Sequence, residues 1–144
     1  MSYLKIFKLN VMKRFMFLIF AVAFAGIIYA QQEGPAISWK ATVHDFGTFK
    51  EEAGIQTATF EFVNTGNAPL YLTNVKASCG CTTPEWSKEP IQPGGKGYVK
   101  AAYNPANRPG KFNKSITVTT NETTQPTSVL YIKGEVIPKE QQAN

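Results

Sequence analysis

The sequence predicts an all-β protein, a sandwich of about seven antiparallel strands preceded by a cleaved signal peptide. Beyond residue 30, short runs rich in Val, Ile, Thr, Phe and Tyr alternate with Gly, Pro and Asn. These runs recur at roughly ten-residue spacing, and no segment longer than about seven residues repeats apolar side chains at helical spacing. Short strands at this spacing are typical of an immunoglobulin-like sandwich, with a small barrel as the alternative.

Residues 1–30 have the pattern of a secretory signal peptide. Lys13 and Arg14 stand directly before an uncharged apolar run, residues 15–28, which is shorter than the ~20 residues that a membrane-spanning helix needs. We expect cleavage after Ala30, where the chain becomes polar, and we favour Met12 as the initiator because it begins a compact signal. The sequence therefore predicts export to the periplasm or cell surface, or secretion, without stable membrane insertion after cleavage.

The charge of the mature chain argues against nucleic-acid binding. The whole chain carries a formal net charge of +5, from 15 Lys and Arg against 10 Asp and Glu. Four of the basic residues lie within residues 1–30, so the remaining 114 residues carry 11 basic and 10 acidic side chains. A near-neutral surface has no general attraction for nucleic acid. A chain of this length forms one domain with its own core.

Alternation of apolar and polar side chains places the strands. Residues 56–63 show it most clearly, because Ala58, Phe60 and Phe62 face one way and the polar side chains between them face the other. The strands expected are residues 36–44, 56–63, 70–76, 97–103, 112–120 and 127–136. The aromatic core candidates are Phe46, Phe49, Phe60, Phe62, Tyr103 and Phe112. The predicted boundaries are 31–40 for a lead-in, 41–137 for the immunoglobulin-like domain and 138–144 for a polar tail.

The unusual segment is Ser78-Cys79-Gly80-Cys81-Thr82, which holds both cysteines of the chain. Thiols outside the cytoplasm tend to be oxidised, and side chains two residues apart in an extended chain point the same way. Gly80 is expected to supply the backbone freedom that closes a small ring. Three hypotheses stay open: a Cys79–Cys81 disulfide that shapes a loop, a thiol-exchange pair, or a metal site with His44 as a weak candidate ligand.

The sequence contains no recognisable catalytic pattern, and we expect neither enzymatic activity nor a cofactor. His44 and Asp45 are neighbours in a predicted strand, so their side chains face apart. Trp86 lies in a proline-bounded loop predicted over residues 83–90. It either covers an edge of the sandwich or is an exposed contact for a partner, since Trp is enriched at binding hot spots.

Several segments occur in an order that resembles a known family. They are His44–Thr48, Phe60–Gly66, Pro69-Leu70, Ser78–Thr82, Pro90–Gly94, Gly110–Phe112 and Leu130–Gly134. Over about residues 41–137 the chain resembles domain-of-unknown-function family fifteen-seventy-three, a group of exported bacterial proteins. That family is similar to Hydin-type immunoglobulin-like domains and, more distantly, to major sperm protein. The resemblance implies a seven-stranded sandwich of binding or scaffolding character, and it singles out Cys79 and Cys81 without implying an established activity.

Two functional hypotheses follow from the sequence. The first is a non-enzymatic module of the cell envelope that binds a protein or a cell-surface glycan through its loops or an open strand edge. The alternative is a periplasmic thiol-redox or metal-binding protein that uses Cys79 and Cys81. The state of the two cysteines distinguishes these hypotheses.

Overall fold

The computed structural model describes residues 34–139, which form eight strands and one short 3-10 turn. The strands are β1 Ile37–Trp39, β2 Val43–Lys50, β3 Gln56–Asn64, β4 Leu72–Ala77, β5 Thr82–Trp86, β6 Lys96–Tyr103, β7 Gly110–Thr120 and β8 Thr127–Ile137. The 3-10 turn covers Glu51–Ala53, between β2 and β3. The predicted signal peptide and the end of the predicted polar tail lie outside the described residues. Within residues 34–139, no helix is long and apolar enough to cross a membrane.

The strands form two four-stranded sheets in the immunoglobulin-like sandwich that the sequence predicts. The first sheet has the order β1-β3-β6-β5 and is antiparallel throughout. The second has the order β2-β8-β7-β4, and here β2 runs parallel to β8. Parallel neighbours need a long connection, and the rest of the domain supplies it because β2 comes near the start of the chain and β8 at its end. The sandwich is therefore mixed rather than purely antiparallel.

The core lies between the inward faces of the two sheets. The alternation predicted for residues 56–63 is confirmed, since Ala58, Phe60 and Phe62 are buried and the polar side chains between them are exposed. The other buried apolar residues of the core cluster are Val75, Cys81, Val99, Ala101, Tyr103, Ile116, Val118, Leu130, Ile132 and Val136. Of the predicted core aromatics, Phe46, Phe49 and Phe112 are only partly buried, but they pack against this cluster.

Two predicted segments differ from the structure. Residues 36–44 do not form one strand, because β1 pairs with β3 in the first sheet and β2 pairs with β8 in the second. The apolar pattern continues across this change of sheet, so the sequence shows no break. The loop predicted over residues 83–90 is wrong for its first part, because β5 includes Pro84 and ends at Trp86. Proline is tolerated there because β5 is an edge strand, where a missing N–H donor breaks no central ladder.

A cationic cleft beside the Cys-Gly-Cys turn

The Cys-Gly-Cys turn joins the two sheets of the sandwich. It follows β4, an edge strand of the second sheet, and leads into β5, an edge strand of the first. Hydrogen bonds hold both ends of the turn. Ser78 N donates to Ser115 O at 2.9 Å, Ser115 N donates to Ser78 Oγ at 3.1 Å, and Asn104 N donates to Cys81 O at 2.9 Å. The turn is therefore fixed to β7 on one side and to the end of β6 on the other.

The sulfur atoms of Cys79 and Cys81 lie within bonding distance, and their Cα atoms are 5.2 Å apart. This Cα separation lies in the range of protein disulfides. The two side chains differ in environment, because Cys79 is half-buried while Cys81 is only 7% exposed and belongs to the core. The Thr82 hydroxyl lies 3.7 Å from Cys79 Sγ and 3.9 Å from Cys81 Sγ. Export of the chain and oxidation of the pair both stay predictions.

Gly80 does not have the role that the sequence suggested. Its φ is not among the positive values that disfavour other residues, and a Cβ added there would meet no atom within 4 Å. Steric space and backbone conformation would therefore both accept a small side chain at this position. The hydrogen bonds at its two ends hold the turn in place.

A cleft of about 430 Å³ opens beside this turn. Tyr103 of β6 and Phe112 of β7 line it as a stacked pair, with ring centroids 4.0 Å apart and planes inclined by 12°. Tyr103 is almost completely buried, and its burial raises the pKa of the phenol although the positive charge of Arg108 acts to lower it. The stacked rings therefore form a rigid apolar part of the cleft wall.

Three basic side chains line the same cleft, Arg108 from the loop before β7 and Lys111 and Lys114 from β7 itself. Arg108 Nη1 donates to Ala106 O at 2.8 Å, which anchors the guanidinium to its own loop. Lys114 lies on the inward-facing side of β7, where its strand neighbours two residues away are Phe112 and the buried Ile116. Among residues 34–139, none of the three basic residues forms an ion pair. The cleft wall thus combines an aromatic surface with unneutralised positive charge.

The other candidate residues, His44 and Trp86, do not line this cleft and contact other side chains. His44 contacts Phe46 edge-to-face, with ring centroids 4.6 Å apart, and is half-buried while Asp45 is exposed. Within the described residues, no three His, Cys, Asp or Glu side chains are grouped as metal ligands, so His44 does not join the cysteines. Trp86 packs partly against the core, and Lys88 Nζ lies 2.9 Å from the centroid of its ring. Its role as a partner contact stays a prediction.

A second groove, of about 330 Å³, lies along β1 and β3. Trp39 and Phe62 line it and contact each other edge-to-face at 5.1 Å between centroids. Lys40, which directly follows β1, pairs with Glu61 of β3 at 3.0 Å, and Lys96 of β6 also lines this groove. Among the described residues this groove keeps one basic side chain without an ion pair, against three in the cleft beside the cysteines, so it attracts an acidic partner less strongly.

Sequence reasoning identified the cysteines but not the basic and aromatic residues around them. Arg108, Lys111 and Lys114 are about 30 residues away along the chain, and only the pairing of β4 with β7 brings them to the turn. The single sequence signal was Gly110-Lys111-Phe112, which belongs to the segments that carry the family resemblance. That signal did not indicate a shared cleft.

Comparison with solved structures places this sandwich in the immunoglobulin-like class that includes PapD-like domains. A protein of unknown function from Porphyromonas gingivalis W83 is similar with a TM-score of 0.64 and 22% identity, over 74% of this chain and 49% of that one. The ASH/PapD-like domain 7 of human CEP192 is similar with a TM-score of 0.57 and 13% identity, over 72% of this chain and 87% of that one. The VesB protease of Vibrio cholerae has a TM-score of 0.59 and 14% identity, over 69% of this chain and 31% of that one.

These likenesses show the fold alone. The matched part of this chain spans about half of the Porphyromonas chain and about a third of the Vibrio protease. No curated protein sequence matches this chain. Residues 37–136 match the family described as "Protein of unknown function (DUF1573)", and the chain belongs to this family. The family predicted from the sequence is therefore confirmed, and the similarity to a PapD-like domain agrees with the immunoglobulin-like fold predicted for it.

Proposed function

We propose that this chain is an exported, non-enzymatic binding module of the cell envelope, and that an acidic surface of a partner protein docks in the cationic cleft. The observation that carries the proposal is the cleft of about 430 Å³ whose three basic side chains form no ion pair among the described residues. Unpaired positive charge around a concave surface raises the rate of association with an acidic partner and selects against a basic one.

The aromatic wall of the cleft supports a protein partner. Phe112 is half-buried and is held by its stacking on Tyr103, so it offers a rigid apolar surface beside the cations. Interfaces between proteins are enriched in aromatic and Arg side chains at their energetic centre. A neutral glycan would use the aromatic surface but would gain little from three positive charges. A protein partner uses both features.

Export and the absence of catalysis rest on separate arguments. Export rests on the basic residues, the apolar run and the small residue before a polar segment in residues 1–30. The proposed lack of enzymatic activity is supported by the surroundings of the potential reactive groups. His44 contacts an aromatic ring, and the described residues next to the cysteines include no histidine or carboxylate that could act as a general base.

Site-specific photo-crosslinking in the native bacterium tests this function. A photoreactive amino acid replaces Lys111 in the cleft, and the matched control carries it at Lys96, at the opposite end of β6 from Tyr103. Lys96 and Tyr103 are seven positions apart in the strand, which corresponds to about 23 Å of extended chain. We expect the cleft variant, and not the control, to capture an envelope protein with an acidic surface.

Charge reversal makes the test quantitative. The double variant Arg108→Glu with Lys114→Glu is expected to reduce capture at least about tenfold, because attraction becomes repulsion. The control Lys96→Glu is expected to leave capture unchanged. Equal capture from both positions, capture that survives the double charge reversal, or capture of a glycan instead of a protein would each contradict the proposal.

A further inference from the structure

The Cys79–Cys81 pair has two unequal ends. Both residues line the cleft, but Cys79 is half-buried, whereas Cys81 is 7% exposed and packs against the core. A reagent that enters the cleft therefore has access to Cys79 Sγ and little access to Cys81 Sγ. A disulfide between these residues would enclose one intervening residue, so it would remove little conformational entropy from the unfolded chain. Structural stabilisation is a weak explanation for such a bridge.

We propose that the Cys79–Cys81 disulfide exchanges with the dithiol of a partner protein, and that the incoming thiolate attacks Cys79. In the first step the partner's sulfur bonds to Cys79 Sγ, the bond between Cys79 and Cys81 breaks, and its electron pair leaves on Cys81 Sγ. In the second step the partner's other thiolate attacks its own sulfur in the mixed disulfide and releases Cys79. The partner loses two electrons and forms a disulfide, while the Cys79–Cys81 pair gains two electrons and becomes two thiols.

Burial of Cys81 in the core by itself disfavours a leaving thiolate, and two neighbouring features act against that effect. The Thr82 hydroxyl lies 3.9 Å from Cys81 Sγ and 3.7 Å from Cys79 Sγ, so its O–H is placed to donate to the sulfur on which negative charge develops. Arg108 and Lys114 supply positive charge in the same cleft, and nearby cations stabilise a thiolate over a thiol. A better stabilised leaving thiolate departs faster in thiol–disulfide exchange.

The attachment of the turn makes the exchange reversible without unfolding. The hydrogen bonds from Ser115 N to Ser78 Oγ and from Asn104 N to Cys81 O involve no sulfur atom. They remain when the bridge opens and keep the two thiols close to each other. The pair can therefore close again when a partner disulfide removes the electrons.

The experiment treats the purified oxidised protein with reduced glutathione, quenches with acid, alkylates free thiols and maps both cysteines by mass spectrometry. We expect glutathione on Cys79 and the alkyl group on Cys81, with at least about a tenfold excess over the opposite arrangement. Dithiothreitol, a dithiol probe, is expected to drive the pair directly to two thiols because its second sulfur resolves the mixed disulfide. Circular dichroism of the reduced protein checks that the sandwich remains folded.

Variants separate the proposed chemistry from simple exposure. Thr82→Val, which keeps the shape of the side chain, and Lys114→Gln are each expected to slow the reaction with glutathione several-fold, whereas Lys96→Gln leaves the rate unchanged. Equal labelling of both cysteines, a rate no faster than in the urea-unfolded protein, or free thiols in the isolated exported protein would overturn the proposal. Partner binding is measured separately with the double variant Cys79→Ser and Cys81→Ser, so the two proposals can fail independently.

Discussion

Replacing Asn64 with alanine is expected to lower the free energy of unfolding by about 2–3 kcal/mol. Asn64 ends β3 and is completely buried. Its Oδ1 accepts from Gly66 N at 3.0 Å and from Ala36 N at 3.4 Å. Its Nδ2 donates to Ala68 O and Ile91 O, both at 2.8 Å. One side chain therefore joins three segments of the chain.

The magnitude follows from the groups that lose a partner. In the alanine variant, Gly66 N and Ala68 O keep no other protein hydrogen bond among those found, while Ile91 O keeps the one from Leu70 N at 2.9 Å. A buried polar group without a partner costs about 1–3 kcal/mol, and because both of these hydrogen bonds are only part-buried, each loss lies near the lower end, which gives about 2–3 kcal/mol together. The longer bond to Ala36 N adds little.

Urea denaturation followed by circular dichroism measures the effect, and Asn67→Ala is the matched control. Asn67 lies in the same turn and also accepts a backbone N–H, from Gly34 at 2.7 Å, but it is exposed. Water replaces that lost bond, so the control should cost less than about 1 kcal/mol. Equal losses in the two variants, or a loss below about 1 kcal/mol for Asn64→Ala, would refute the argument that burial makes this network costly to break.

Two further predictions concern packing and titration. A Cβ at Gly97 would overlap the ring of Phe62, so Gly97→Ala is expected to cost about 1–3 kcal/mol of stability and to lower the thermal midpoint. The control Gly80→Ala adds its methyl group in open space and should leave the midpoint unchanged. Equal midpoints for the two variants would contradict the packing argument. Burial raises the pKa of the Tyr103 phenol in the folded state. The neutral phenol therefore stabilises the folded protein fully at pH values below the pKa of about 10 that it has in the unfolded chain, and this stabilisation is lost as the pH rises through the higher pKa of the folded state. Urea midpoints measured from pH 8 to pH 11 (about one unit above the free phenol) should fall less steeply in Tyr103→Phe, and parallel curves would show that the burial has no such effect.

The sandwich fold was predictable because burial on one face of a strand produces a two-residue period in the sequence. The expected strands over residues 97–103, 112–120 and 127–136 correspond closely to β6, β7 and β8. The prediction failed at positions where the local sequence pattern does not indicate which sheet a strand joins. Residues 36–44 keep one pattern although they change sheets, and Pro84 looks like a loop residue although an edge strand accepts it. Strand order depends on long-range pairing, which a local period does not encode.

The candidate functional site was likewise predictable only in part from the sequence. The spacing of Cys79 and Cys81, together with the predicted signal peptide, was enough to predict a pair of neighbouring sulfurs in an oxidising compartment. The unequal burial of the two sulfurs, the stacking of Tyr103 on Phe112 and the three cations around them required the tertiary structure.

The sequence by itself determined the class of fold, the family and the two residues with distinctive chemistry, because local residue spacing or short motifs indicate each of these. Only the tertiary structure decided what surrounds those residues. The pairing of β4 with β7 and of β5 with β6 brings Arg108, Lys114 and Tyr103 to a turn that is about 20 to 35 residues away from them in sequence, and such contacts form through the packing of two sheets. The chemistry of the turn therefore depends on charges and rings that its own sequence neighbours do not include.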